Sequence, residues 1–89
     1  MGWWADSDGY VPIYGACYPG VELGSYSAYS TGGVVYGTIY INDCALRRLG
    51  AGPYDRQQVI AHEMGHAQGL PDSSDPNSYM YWYYTITGT

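Results

Sequence analysis

Hydrophobic and polar positions change rhythm along this chain, and each rhythm predicts an element. VVYGTIYIN, residues 34–42, is a run of β-branched and aromatic residues bounded by Gly32-Gly33 and Asn42-Asp43, the pattern of a strand. Gly37 inside it implies a bulge or a close backbone approach. GSYSAYS, 24–30, alternates small and aromatic residues and predicts a weaker strand. YVPIY, 10–14, is a short strand that Pro12 confines to an edge or a bulge. The rest of residues 1–32 is rich in Gly, Pro, Ser and Tyr and has no helical period. CALRRL, 44–49, predicts a turn of helix before the break at 50–53.

A strong helical period follows. Asp55 serves as N-cap with Gln58 three residues on, a capping-box arrangement. Gly69 and Pro71 end the helix, because Gly accepts the left-handed conformation and Pro cannot continue the ladder. Ile60, Met64 and Ala67 share the face taken as the core side. His62, Glu63 and His66 occupy a neighbouring face, so the histidines are set off from the packing stripe. With no internal repeat and no linker, residues 1–89 read as one domain.

Composition sharpens this picture. A chain of 89 residues buries only about 60–65% of its unfolded surface, so its core needs help from a disulfide or a metal. Twelve Tyr and three Trp, with no Phe, place many rings half-exposed along a sheet or a cleft. There is no Lys among the three cationic residues, and the net charge is −5. Without a cationic patch, nucleic acid and anionic membrane are excluded as partners. No apolar run approaches membrane-spanning length. The opening MGWWADSDGY has neither a basic region nor an apolar stretch, so any secretory leader is expected to be gone already. Cys17 and Cys44 form a disulfide if the chain is secreted, and are two buried thiols otherwise.

The candidate chemistry lies in AHEMGHAQGLPD, 61–72, which holds both histidines of the chain. His62 and His66 are one helical turn apart, so both imidazoles reach one metal ion from the same side. Glu63 points beside that ion, where a general base is needed. Zinc held by two imidazoles and a third group keeps a fourth position for water. No Glu follows Glu63 and there is no third His, which leaves Asp72 and Asp75. Asp72 is the better third ligand, since Gly69 lets the chain reverse sharply in front of it. Asp75, in SSDPNS, reads as a turn-capping residue.

HEMGHAQGLPD has the form HExxHxxGxxD, which resembles the metzincin signature with Asp in place of the usual third His. That variant resembles the snapalysin family of small secreted neutral metalloproteases. The similarity reaches upstream through GSY (24–26), GTIYIND (37–43) and YDRQQVIAHE (54–63). DSSDPNSYMYWYY, 72–84, is more similar to the matrixin stretch leading into the Met-turn. A matrixin carries His and Pro where this chain has Asp72 and Trp82, and Trp82 also stands where astacin-like enzymes place a tyrosine.

The resemblance implies an α+β fold: a minimal metzincin-like zincin domain, with a small twisted β-sheet packed on one active-site helix followed by a Met-turn. It implies a secreted, monomeric zinc endopeptidase acting on peptide or protein substrates, with zinc on His62, His66 and Asp72, Glu63 as catalytic base and Met80 as a hydrophobic floor. Tyr81, Tyr83 and Tyr84 are the candidates for an oxyanion helper, and strand 34–42 resembles the metzincin edge strand to which an extended peptide adds. The alternative is a secreted binding module that zinc stabilises without turnover.

Overall fold

The computed structural model describes residues 2–6 and 9–89, with side chains described from residue 11 onward. Its elements run β1 (Gly2–Asp6), β2 (Gly9–Ala16), β3 (Gly24–Thr31), β4 (Val34–Asn42), α1 (Asp43–Arg48) and α2 (Pro53–Ala67). The fold is therefore α+β, as the sequence predicts.

The four strands form one sheet in the order β1-β2-β4-β3. β1 and β2 are antiparallel, β2 runs parallel to β4, and β3 and β4 form an antiparallel pair joined through Gly32-Gly33. Both of those glycines have positive φ, which their side chain-free backbone accepts without strain.

Two expectations are corrected here. Strand 34–42 is internal, flanked by β2 and β3, and the edges of the sheet are β1 and β3. β2 is longer than residues 10–14 and is also internal. Pro12 is tolerated because the ladder to β4 starts at Ile13, one residue later. At Gly37 the β3–β4 register runs unbroken, so there is no bulge. A Cβ there would collide with the Tyr26 ring, so Gly37 serves close approach.

Alternation along β4 explains how the sheet is covered. Gly37, Ile39 and Ile41 are buried, whereas Tyr36 and Tyr40 are exposed. The inward residues join Val11, Ile13, Leu46, Val59 and Met64 in one core. On the other face Tyr40 stacks with Tyr14 at 6.0 Å between ring centroids, and Tyr36 with Tyr29 at 5.4 Å. Those are the half-exposed tyrosines that the composition predicts.

Helix α2 starts earlier than the sequence reading. Gly52 is the N-cap and Pro53 opens the first turn, where a missing N–H costs nothing. Asp55 is thus the third helical residue, and its Oδ2 accepts from Gly52 N at 3.0 Å. The buried residues of α2 are Asp55, Val59, Glu63, Met64 and Gly65, with Ile60 and Ala67 only partly buried. The packing stripe is therefore rotated towards Glu63. A Schellman motif ends the helix: Leu70 N donates to Gly65 O, Gly69 N donates to His66 O, and Gly69 has a φ of 89°.

Short α1 is capped by Asn42, whose Oδ1 accepts from Ala45 N at 3.3 Å. Cys17 and Cys44 are joined as a disulfide, which ties the segment after β2 to the start of α1.

Candidate metal centre

The two histidines leave α2 on one side and turn their edges towards each other. His62 Nε2 and His66 Nε2 are 3.1 Å apart. Asp72 Oδ1 lies 3.1 Å from each of them. The Schellman turn makes this closure possible, because it reverses the chain in time for Asp72 to return under the helix end.

The opposite ring nitrogens fix the tautomers. His62 Nδ1–H donates to Tyr79 O at 3.1 Å, and His66 Nδ1–H donates to Leu70 O at 2.8 Å. A carbonyl only accepts, so in a neutral ring the proton stays on Nδ1 and the Nε2 lone pair faces the Asp72 carboxylate. Three acceptor atoms then form a triangle of equal 3.1 Å edges. Such a triangle repels itself unless a cation or a proton lies among its corners. For ligand distances of about 2.0–2.2 Å, the edge of a tetrahedral zinc shell is roughly 3.3–3.6 Å, a few tenths of an ångström longer than the edges here. The donor set and its spacing therefore fit a zinc-sized cation with three protein ligands.

Glu63 sits beside the triangle and only 7% exposed. It packs against β3 at Gly24, where a Cβ would press on both Val59 and the Glu63 side chain. Burial raises its carboxyl above the ordinary value; His62 and His66 pull it back, while Glu22 and Asp72 push it up with burial.

Below this end of the helix lies Met80, 4% exposed. A Cβ at Gly65 would collide with Met80 Sδ, so the glycine between the two histidines is what admits the thioether there. The excursion between Asp72 and Met80 is closed by Ser73 N donating to Met80 O at 2.7 Å and by Trp82 N donating to Ser73 O at 3.2 Å. Asp75 caps its own turn as the sequence predicts, Oδ1 accepting from Asn77 N at 2.9 Å.

A cleft of about 1280 Å³ opens over these residues. One lip is the segment from Val21 to the start of β3; the facing wall is residues 81–86. Of the three tyrosines proposed as oxyanion helpers, Tyr84 is excluded, since its hydroxyl donates to Asp55 Oδ1 at 2.6 Å. Burial of the phenol, and then that bond to the Asp55 carboxylate, push it well above its ordinary value. Tyr81 and Tyr83 line the cleft.

Two residues that shape the cleft are missed by sequence reasoning. Asn42 is fully buried; its Nδ2 donates to Tyr18 O at 3.0 Å and to Glu22 O at 2.9 Å, which holds the lip. An Asn between a strand and a helical turn is the available signal, as an N-cap. Asp55 is the second, and its partners lie some thirty residues downstream. No local pattern announces them.

No curated protein and no solved structure matches the chain. Among known protein families, a match to matrixins covers residues 6–89. That span includes the histidine helix, Asp72 and Met80, and on it the chain belongs to the matrixin family of peptidases.

Proposed function

We propose that the chain is a zinc-dependent endopeptidase, with zinc on His62, His66 and Asp72. The observation that carries the reading is the 3.1 Å triangle with both imidazole tautomers set by backbone carbonyls, since that arrangement leaves three lone pairs converging on one point. Zinc in that place would supply a Lewis acid for the scissile carbonyl and lower the pKa of water. The Glu63 carboxylate takes the proton from the attacking water and passes it to the leaving amine. Burial against Gly24 holds that carboxylate in one place between β3 and the histidines.

The peptide substrate adds as an extended strand along β3, whose first residues line the cleft and whose outer edge, among the described residues, faces no other strand of the sheet. Asp72 as third ligand places the chain on the snapalysin-like side of the metzincins, and Met80 serves as its Met-turn residue. In this reading residues 1–89 act as one monomeric domain outside the cell, which the Cys17–Cys44 disulfide supports.

Two substitutions test it. Glu63→Gln is expected to keep one zinc per chain and to lose peptide cleavage by roughly a hundredfold or more. Asp72→Ala is expected to weaken zinc by roughly a hundredfold. Full zinc affinity in the Asp72 variant would overturn the ligand assignment, and unchanged cleavage in the Glu63 variant would overturn the base.

A further inference from the structure

Between Met80 and the last residues, the chain forms the aromatic wall of the cleft, and that wall is held mainly at its ends. Met80 is buried against Gly65. Among the described residues, no backbone hydrogen bond joins residues 83–86 to the rest of the molecule, although Tyr84 and Ile86 pack on the core. The next fixed point is Asp55. Its carboxylate is fully buried and accepts five hydrogen bonds: from Gly52 N at 3.0 Å, Tyr84 OH at 2.6 Å, Thr87 N at 2.9 Å, Thr87 Oγ1 at 2.7 Å and Gly88 N at 2.9 Å. Tyr54 N donates to Thr89 O at 2.9 Å, and a Cβ at Gly52 would collide with Thr89. Residues 84–89 are thus strapped to the first turn of the same helix that carries the histidines two turns later.

We infer that Asp55 is a positioning residue for the peptide cleft: by tethering residues 84–88 it sets where the aromatic wall 81–86 stands, and so governs peptide binding and not metal binding. The inference rests on the peptidase reading above. Its physical basis is that one carboxylate belongs to two elements. It satisfies a free N–H at the start of α2 and, with its remaining lone pairs, the strap. The triangle of metal-binding atoms draws nothing from the strap, because its partners are Tyr79 O and Leu70 O. Slack in the strap therefore moves the wall and leaves the triangle.

Thr87 gives the cleanest test, since Asp55→Asn alone risks unfolding. Thr87→Val keeps the side chain's shape and removes the hydroxyl that donates to Asp55. Thr87→Ser keeps that hydroxyl. In Thr87→Val, KM for a peptide is expected to rise roughly three- to tenfold. Both kcat and zinc affinity should stay within about twofold, and amide exchange in residues 81–88 should quicken; Thr87→Ser should match the wild type in all four. Unchanged exchange and KM in folded Thr87→Val would overturn the inference, leaving core packing as what sets the wall. A parallel loss of zinc affinity would also overturn it, as general loosening. The two levels separate cleanly: a wild type that neither cleaves nor binds peptide sinks the peptidase reading, whereas exchange that does not respond to Thr87→Val sinks the strap alone.

Discussion

The two sides of the cleft are held by opposite means. The lip and the segment leading into it, residues 17–23, hang on a neutral amide. Asn42 donates to Tyr18 O and Glu22 O and accepts from Tyr18 N and Ala45 N, and the Cys17–Cys44 disulfide reinforces it covalently. The wall hangs on a charge. Asp55 only accepts, and no covalent bond supports it. Both anchors have no exposed surface, so each must satisfy its polar atoms within the protein. A buried group satisfied by donors and acceptors together is indifferent to pH. One satisfied by donors alone is held as an anion, and its hold weakens when it is protonated. The lip should therefore answer to reductant and the wall to acid.

The largest effect that separates them is expected from the disulfide. Removing it as Cys17→Ser with Cys44→Ser opens a loop spanning a sequence separation of 27. The chain-entropy estimate puts the loss at about 3–4 kcal/mol, to be read from denaturant unfolding. Amide exchange should quicken in residues 17–23 and leave 84–88 slow; equal quickening of both segments would erase the distinction. Next is Asn42→Asp, a change of one atom that replaces a donor by an acceptor facing two carbonyls. Its cost is expected to be about 2–3 kcal/mol at pH 7. Burial opposite two carbonyl oxygens raises such a carboxyl, so the variant should recover part of this loss as the pH falls. A cost independent of pH would mean that the lip does not rest on the amide's donors.

How legible these features were follows from their range in sequence. The histidine helix was legible because His62, Glu63 and His66 fall within about one turn, and because Gly69 and Pro71 mark its end. Strand 34–42 was legible from β-branched residues between turn signals. Strands 10–14 and 24–30 were legible as strands too, but not their order, since sheet order depends on which segments meet in space, and an internal and an edge strand can share one local pattern. β1 escaped notice as well, although Gly9 and two acidic residues between aromatic runs are a hairpin signal. Asp55 reads as the N-cap, three residues past the actual one at Gly52, and is hidden as an anchor. A local capping role accounts for an Asp at that place, so nothing in the sequence asks for further partners. Tyr84 was misread for the same reason: its pairing with Asp55 spans 29 residues.

The finest distinction is the acid response of the wall. Burial by itself would raise the Asp55 carboxyl, but bonds from Tyr84, Gly52 and Thr87 outweigh it and hold the group well below the usual carboxylate range. A carboxyl depressed in the folded state contributes stability that is present above its unfolded value, about 3.9, and is lost as the pH falls towards the folded one. Wild-type Tm should therefore hold between pH 6 and 5 and decline below about pH 4. Asp55→Asn keeps an oxygen for one set of donors and turns an amide towards the other. At pH 7 its Tm is expected to be roughly 5–10 °C lower. It should then lose less than the wild type on acidification, so the two curves converge. Glu63, raised by its burial, pulls in the opposite direction, but it is common to both proteins and drops out of their difference. Parallel curves would show that the strap is held by packing and backbone bonds alone, and the contrast between a charged wall and a neutral lip would go with it.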